Sequence, residues 1–106
     1  MSNQNCIDAC NSCIDDCEKC VSSCLEDDEV KTRIQCIKLC NDCIDICKIC
    51  SQYMSRKSKF ASVICSICET VCIECAIECE KHVNDEDCKS CAKSCRKCAE
   101  ECKKTD

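Results

Sequence analysis

Cysteine sets the hydrophobic pattern of this chain. In the stretch CIDACNSCIDDCEKCVSSC, residues 6 to 24, it recurs at steps of four, three, four, three and four, with Asp, Glu, Lys, Asn and Ser filling most positions between. Steps of three and four return a side chain to the same face of an α-helix, so the stretch reads as a helix with a thiol at every turn. The whole chain repeats the device. The ladders are Cys6, Cys10, Cys13, Cys17, Cys20, Cys24; then Cys36, Cys40, Cys43, Cys47, Cys50; then Cys65, Cys68, Cys72, Cys75, Cys79; then Cys88, Cys91, Cys95, Cys98, Cys102, and together they use all 21 cysteines. The alternation averages about 3.5 residues, the repeat that keeps one seam of a helix turned toward its neighbours in a bundle.

Between ladders the phase is lost, across gaps of 12, 15 and 9 residues. Polar stretches fill those gaps: EDDEVK at 26–31, SRKSK at 55–59 and NDED at 84–87. Each marks a turn, with Asp28, Ser58 and Asn84 or Asp85 as candidate N-caps. The pattern predicts helices over about 4–25, 29–54, 59–82 and 86–104, forming a single domain over 1–106. Connections this short place successive helices antiparallel. The expected fold is all-α: an up-down-up-down four-helix bundle with a cysteine-lined core. Cys6 to Cys24 spans about 27 Å at the helical rise, and Cys36 to the in-phase Met54 spans the same number of residues.

Ile7, Ile14, Val21, Ile37, Ile44, Ala92 and Ala99 each follow a cysteine by one position, which puts them beside the seam, where adjacent helices meet. Helices two and three carry further apolar residues away from it, including Leu39, Ile46, Ile49, Ile67, Ile73 and Ile77. A monomer rarely leaves so broad an apolar surface wet, so a homo-oligomer through helices two and three is expected.

Composition narrows this picture. Gly, Pro and Trp are absent, and Tyr53 and Phe60 are the only aromatics, so tight hairpins and loop-rich disulfide scaffolds are disfavoured and the interior must be largely sulfur. The formal net charge is −5 with no Lys/Arg run, which argues against nucleic-acid or anionic-membrane partners. The start, MSNQNCIDAC, has no basic region followed by an apolar one, and no window approaches the ~20 apolar residues of a membrane span. A cytoplasmic location with reduced thiols is expected. A lone His and no Gly-rich loop leave no catalytic constellation, so an enzyme is not expected.

The thiols themselves admit several uses. A free cysteine can fill core space as a small hydrophobe, but in strict register such residues alone would make a thin core. A disulfide framework meets an odd count and strained same-helix geometry. Iron–sulfur clusters favour four cysteines on an irregular loop, which continuous helices fit poorly. Zinc in four-thiolate sites leaves −2 at each, so about five sites would bury roughly ten negative charges, at several kcal/mol per ion. Cu(I) behaves differently. Thiolate is the soft ligand that selects it, and exchanging each S–H proton for one Cu⁺ leaves the core charge unchanged, so a thiol column can load at about one ion per cysteine. Every ladder cysteine is a candidate ligand. CxxxC pairs such as Cys6 with Cys10 or Cys36 with Cys40 can turn toward one ion, with CxxC steps leading to the next layer. A metallothionein-like Zn or Cd sink, and a redox-active or iron–sulfur protein, stay open as alternatives.

The repeated CxxxCxxC ladder on four helices, over nearly the whole chain, resembles the bacterial copper storage proteins, specifically the cytosolic type. The resemblance implies a homotetramer of four-helix bundles, many Cu(I) ions held inside each bundle mainly by cysteine pairs, and a role in copper homeostasis with a copper chaperone as a further partner. It also implies one open mouth carrying His or Met ligands. Met54 continues ladder two and His82 continues ladder three, at opposite ends of the antiparallel layout. Met54 reads either as a ligand or as a flexible core plug, closed over by Tyr53 and Phe60. His82 reads either as an exposed cap or as an entry ligand beside Cys24, Cys36 and Cys88.

Overall fold

The computed structural model describes residues 2–105. Four α-helices form it: α1 (Ser2–Leu25), α2 (Ile34–Ser55), α3 (Ala61–Cys79) and α4 (Glu86–Lys104), with a 3₁₀ turn, Val30–Arg33, leading into α2. No strand occurs among the described residues, as expected of a chain without the residues that tight hairpins require. Each helix packs on the two beside it in a ring, α1 on α2 and α4, α3 on α2 and α4. The result is a rod of 44 × 18 × 17 Å. Among the described residues no helix is long and apolar enough to cross a membrane.

The core consists of the 3.5-residue seam. All 21 cysteines are buried and none is more than 2 % exposed, while among the described residues their only companions in the buried apolar core are Ala9, Ile44, Met54, Ala76, Ala92 and Ala99. Ile7, Ile14, Val21 and Ile37 pack against this core from the helix–helix grooves, as do Leu39, Ile46 and Ile73. These branched side chains supply the bulk that sulfur lacks, and fully burying one such as Ile44 contributes about 2–3 kcal/mol.

The connections differ from the expected boundaries. Asp28 does not cap α2. Instead Asp27 accepts from the Glu29 N–H at 2.7 Å, Thr32 donates through both N–H and hydroxyl to the Glu29 carbonyl, and the chain tightens into the 3₁₀ turn before α2 begins at Ile34. Ser58 caps a turn rather than the helix, accepting from the Phe60 N–H at 3.1 Å, three residues before α3 starts at Ala61. At its far end α3 stops at Cys79, short of the expected 82, because Lys81 and His82 donate to the Glu78 and Cys79 carbonyls in tighter i→i−3 bonds. Asp85 is the true cap of α4: its side chain accepts from the N–H groups of Asp87 and Cys88 at 2.9 and 3.1 Å, with Asn84 outside the cap.

One reversal needs a left-handed residue, and the chain has no glycine to offer. Lys57, at φ 52°, takes that place. Its N–H donates to Met54 and the next, from Ser58, to Tyr53, the paired bonds of a Schellman termination, which offset the steric cost of the Cβ.

Candidate metal centre

The register of the antiparallel helices decides which sulfurs meet. Along α1 and α4 the contacts are Cys6–Cys102 at 3.7 Å, Cys10–Cys98 at 3.6 Å, Cys13–Cys95 at 3.6 Å, Cys17–Cys91 at 3.5 Å and Cys20–Cys88 at 3.1 Å. Each step of three or four up α1 is matched by the same step down α4. The α2–α3 pair repeats the rule: Cys36–Cys79 and Cys40–Cys75 at 3.7 Å, Cys43–Cys72 and Cys50–Cys65 at 3.6 Å, Cys47–Cys68 at 3.8 Å. Opposite helices also touch through the axis, Cys40–Cys91, Cys43–Cys95 and Cys47–Cys98 between α2 and α4 and Cys20–Cys79 between α1 and α3, all at 3.9 Å. Every cysteine is a free thiol, and these spacings are van der Waals contacts far longer than an S–S bond of ~2.05 Å.

Sulfurs on one helix also approach, but less closely. The CxxxC steps Cys13–Cys17, Cys43–Cys47, Cys68–Cys72, Cys75–Cys79 and Cys91–Cys95 stand at 3.9–4.0 Å. The expected examples Cys6–Cys10 and Cys36–Cys40 are not among them; Cys6 meets Cys102, Cys10 meets Cys98, and Cys36 meets Cys20 and Cys79. The reason is directional: side chains one turn apart run parallel, whereas those of facing helices converge. Sets of four sulfurs within 4.8 Å of one another follow, and some draw one member from every helix, such as Cys6, Cys50, Cys65, Cys102 and Cys17, Cys40, Cys75, Cys91. Others share members: Cys13 and Cys43 belong both with Cys47 and Cys72 and with Cys17 and Cys95. A column of overlapping sets cannot be filled as isolated four-thiolate sites, and it invites bridging thiolates.

The thiols polarise one another. Cys47 is pushed well up, its proton shared toward Cys10, Cys13 and Cys43, and burial adds to that. Cys43 is pulled well down by thiol donors from Cys13, Cys17 and Cys47, against burial. Cys24, at one end, is pushed up by burial.

The two ends are closed in different ways. At one, Met54 is buried and the Cys65 thiol donates to its Sδ at 3.5 Å. The expected aromatic closure there fails: Phe60 is 55 % exposed, carried outward by the Ser58 turn, with the Lys59 ammonium 5.2 Å from its ring centre. Tyr53 instead stacks under the Arg56 guanidinium at 4.4 Å. At the other end lies His82, in the turn after α3; its Nε2 is buried without a hydrogen-bond partner, 3.6 Å from Glu78 Oε2. An available ring nitrogen suits a soft-metal ligand.

The same end holds a residue that periodicity gave no reason to single out. Arg33, 11 % exposed, donates from Nη1 to Cys24 Sγ at 3.4 Å, Cys88 Sγ at 3.5 Å and Asp85 Oδ2 at 2.9 Å, and from Nη2 to Asp27 Oδ2 at 2.9 Å. Burial pulls its pKa down, but the hydrogen bonds it donates to Asp85 and Cys24 hold it above the usual arginine value. The guanidinium therefore stays charged over the outermost sulfurs.

A helical rod whose axis is a continuous column of free, mutually touching thiols defines a class: a preformed soft-metal carrier, with the sites inside the bundle rather than on a loop. The model of the copper storage protein family matches residues 1–106. The chain belongs to the copper storage protein family. Among solved structures, it is 36% identical to a Cu(I)-bound copper storage protein, BsCsp3, over 98% of this chain and 97% of that one, with a TM-score of 0.92. It is 39% identical to apo copper storage protein 3 from Bacillus subtilis, over 95% of each chain, TM-score 0.86. A cytosolic copper storage protein from Streptomyces lividans carrying five coppers is 30% identical over 97% of this chain and 90% of that one, TM-score 0.94. Among curated proteins none matches.

Proposed function

We propose that this chain stores Cu(I) inside its bundle, at about one ion per cysteine, through bridging thiolates contributed by all four helices. The observation that carries the reading is the overlap of the sulfur sets, in which each sulfur lies within reach of several positions for an ion. Two- and three-coordinate Cu(I) uses such sharing, and each Cu⁺ replaces one thiol proton, so filling the column adds no net charge to a buried core. Zinc also suits individual sets, since four sulfurs ~2.3 Å from one ion stand close together; shared members and two surplus charges per site count against filling the whole column that way.

Met54 and His82 take the terminal places on this reading, Met54 as a thioether beside Cys65 and His82 as an imidazole at the Cys24 and Cys88 end, where copper enters. The location is cytosolic, like that of the Streptomyces lividans relative, and a copper chaperone delivers the metal. Assembly is a homotetramer through α2 and α3. Neither zinc sequestration nor electron transfer is needed to account for the site.

The test is an anaerobic Cu(I) titration of the fully reduced protein against a competing chelator, with far-ultraviolet circular dichroism at each point. Uptake near 20 equivalents, with full helix before the first ion, is the expected outcome, because Ile44 and the groove residues pack without metal. Saturation near five, or helix that forms only with metal, returns the zinc-type sink.

A further inference from the structure

We infer that Arg33 is the gate of the thiol column: its guanidinium occupies the place over Cys24 and Cys88 that an arriving Cu(I) must take, and copper passes when it swings away. This rests on the storage reading above. Nη1 carries two protons and meets three acceptors, Cys24, Cys88 and Asp85, so one proton is shared and the group has no idle donor on that side. Nη2 is held by Asp27. The two carboxylates come from different connections, Asp27 from the α1–α2 link and Asp85 from the α3–α4 link, so the guanidinium is strapped across the end of the rod. Asp85 is itself held by the Ser23 hydroxyl at 2.7 Å.

Two features make this end the one that opens. The first is the alternative. Met54 closes the other end as a buried apolar side chain on the last turn of α2, which loses its apolar burial if it swings out, whereas Arg33 closes this end with a charged side chain that water and carboxylates receive. The second is a place to go. Outside the guanidinium lies an open groove of about 520 Å³ whose lining includes Glu26, Asp27, Asp85, Glu86 and Asp87. A swung-out arginine stays solvated and paired there, and the same carboxylates draw cations to the mouth. When ions enter, each thiol gives up its one proton to solvent on becoming a ligand and none when it later bridges a second ion, the donor ligand departs with its own atoms, and copper remains Cu(I).

A gate changes passage in both directions alike, while a ligand changes affinity. The experiment compares wild type with Arg33→Ala and Arg33→Lys in two measurements. Stopped-flow absorbance follows Cu(I) uptake from its bicinchoninate complex and removal by excess bathocuproine disulfonate. Iodoacetamide labelling of the reduced apo-protein, read residue by residue by mass spectrometry, follows thiol exposure at each end. Arg33→Ala is expected to raise uptake and removal by the same factor, at least about tenfold, the scale of one charge-assisted hydrogen bond. It is also expected to speed labelling of Cys24 and Cys88 about tenfold relative to Cys6 and Cys65. Arg33→Lys, which keeps the charge but cannot span both carboxylates and both sulfurs, is expected to fall between. Unchanged uptake, or labelling that speeds equally at both ends, overturns the gate: the first places entry elsewhere and the second shows general loosening. A wild-type protein that takes up no Cu(I) overturns the storage reading and the gate's copper role with it, while the labelling still reports whether Arg33 covers Cys24 and Cys88.

Discussion

Asp85 does more than one job at once. It caps α4 through the N–H groups of Asp87 and Cys88, accepts from Ser23, and pairs with Arg33 at 2.9 Å. A lost N-cap costs about 1 kcal/mol and a broken, largely buried hydrogen bond to a charged group about as much again, so Asp85→Ala is expected to lower the unfolding free energy of the reduced apo-protein by about 2 kcal/mol at neutral pH. Burial alone would raise the Asp85 pKa, but the bonds from Ser23 and Arg33 win and hold it below the ordinary aspartate value. The stability it supplies is therefore present above the unfolded pKa of ~3.9 and lost as pH falls through the folded value. Chemical unfolding at neutral and at acid pH checks this: the gap between wild type and variant should be full near pH 7 and shrink toward zero below about pH 4. A gap that holds steady in acid would show that the carboxylate charge is not what matters. NDED offered Asp85 as one of two candidate caps, beside Asn84, and the backbone decided between them; Arg33 was not legible, since it sits outside the cysteine register and gains its role only when two connections distant in sequence meet at one end of the rod.

At the scale of the helix, the period of the ladders carried most of the information. It predicted four helices, their antiparallel order and every sulfur of the core, though not Ala9 or Ala76, because a step of three or four has one geometric reading when repeated four or five times. The ends carried less. EDDEVKTR contains several residues able to cap, and the winner depends on backbone geometry: Asp27 folds back on Glu29, and the 3₁₀ turn follows. The apolar surface divides along lines that hydropathy alone does not draw. Leu39, Ile46 and Ile73 lean on the core, whereas Val63, Ile67 and Ile77, which share one stripe of α3, are 58, 47 and 44 % exposed. The stripe, with Ile49 of α2 at 38 %, is the surface on which the proposed assembly depends. Ile67→Glu is expected to shift the protein from oligomer to single chain in sedimentation velocity, with its helix content unchanged. A wild type that sediments as a single chain at micromolar concentration would remove the oligomer.

Across the whole molecule, sulfur takes the part that Leu and Phe play elsewhere. The interior was legible because 21 thiols in register leave little else to fill it; what the sequence left open was the partner of each sulfur, since pairing follows from which helices face each other and not from spacing on one of them. Contacts of no more than 4.0 Å run unbroken from Cys24 through Cys88, Cys20, Cys79, Cys40, Cys91, Cys95, Cys43, Cys47 and Cys98 to Cys10. With the gate proposed at Arg33, such a run has the topology of a narrow queue with one door. Ions that shift from sulfur to neighbouring sulfur along a column only about four thiols wide are expected to fill it inward, so that the earliest to arrive sit deepest and the latest stand nearest Arg33. Copper should therefore leave in the reverse of the order in which it came. Loading with one copper isotope and topping up with another is expected to release the second first, as read by mass spectrometry of the chelated metal; simultaneous release in the loaded ratio would mean that ions exchange freely throughout. On the expected outcome, a sparingly filled chain and a full one differ in more than amount: the newest ions form a readily exchanged reserve, and the oldest are kept in long deposit toward Cys10.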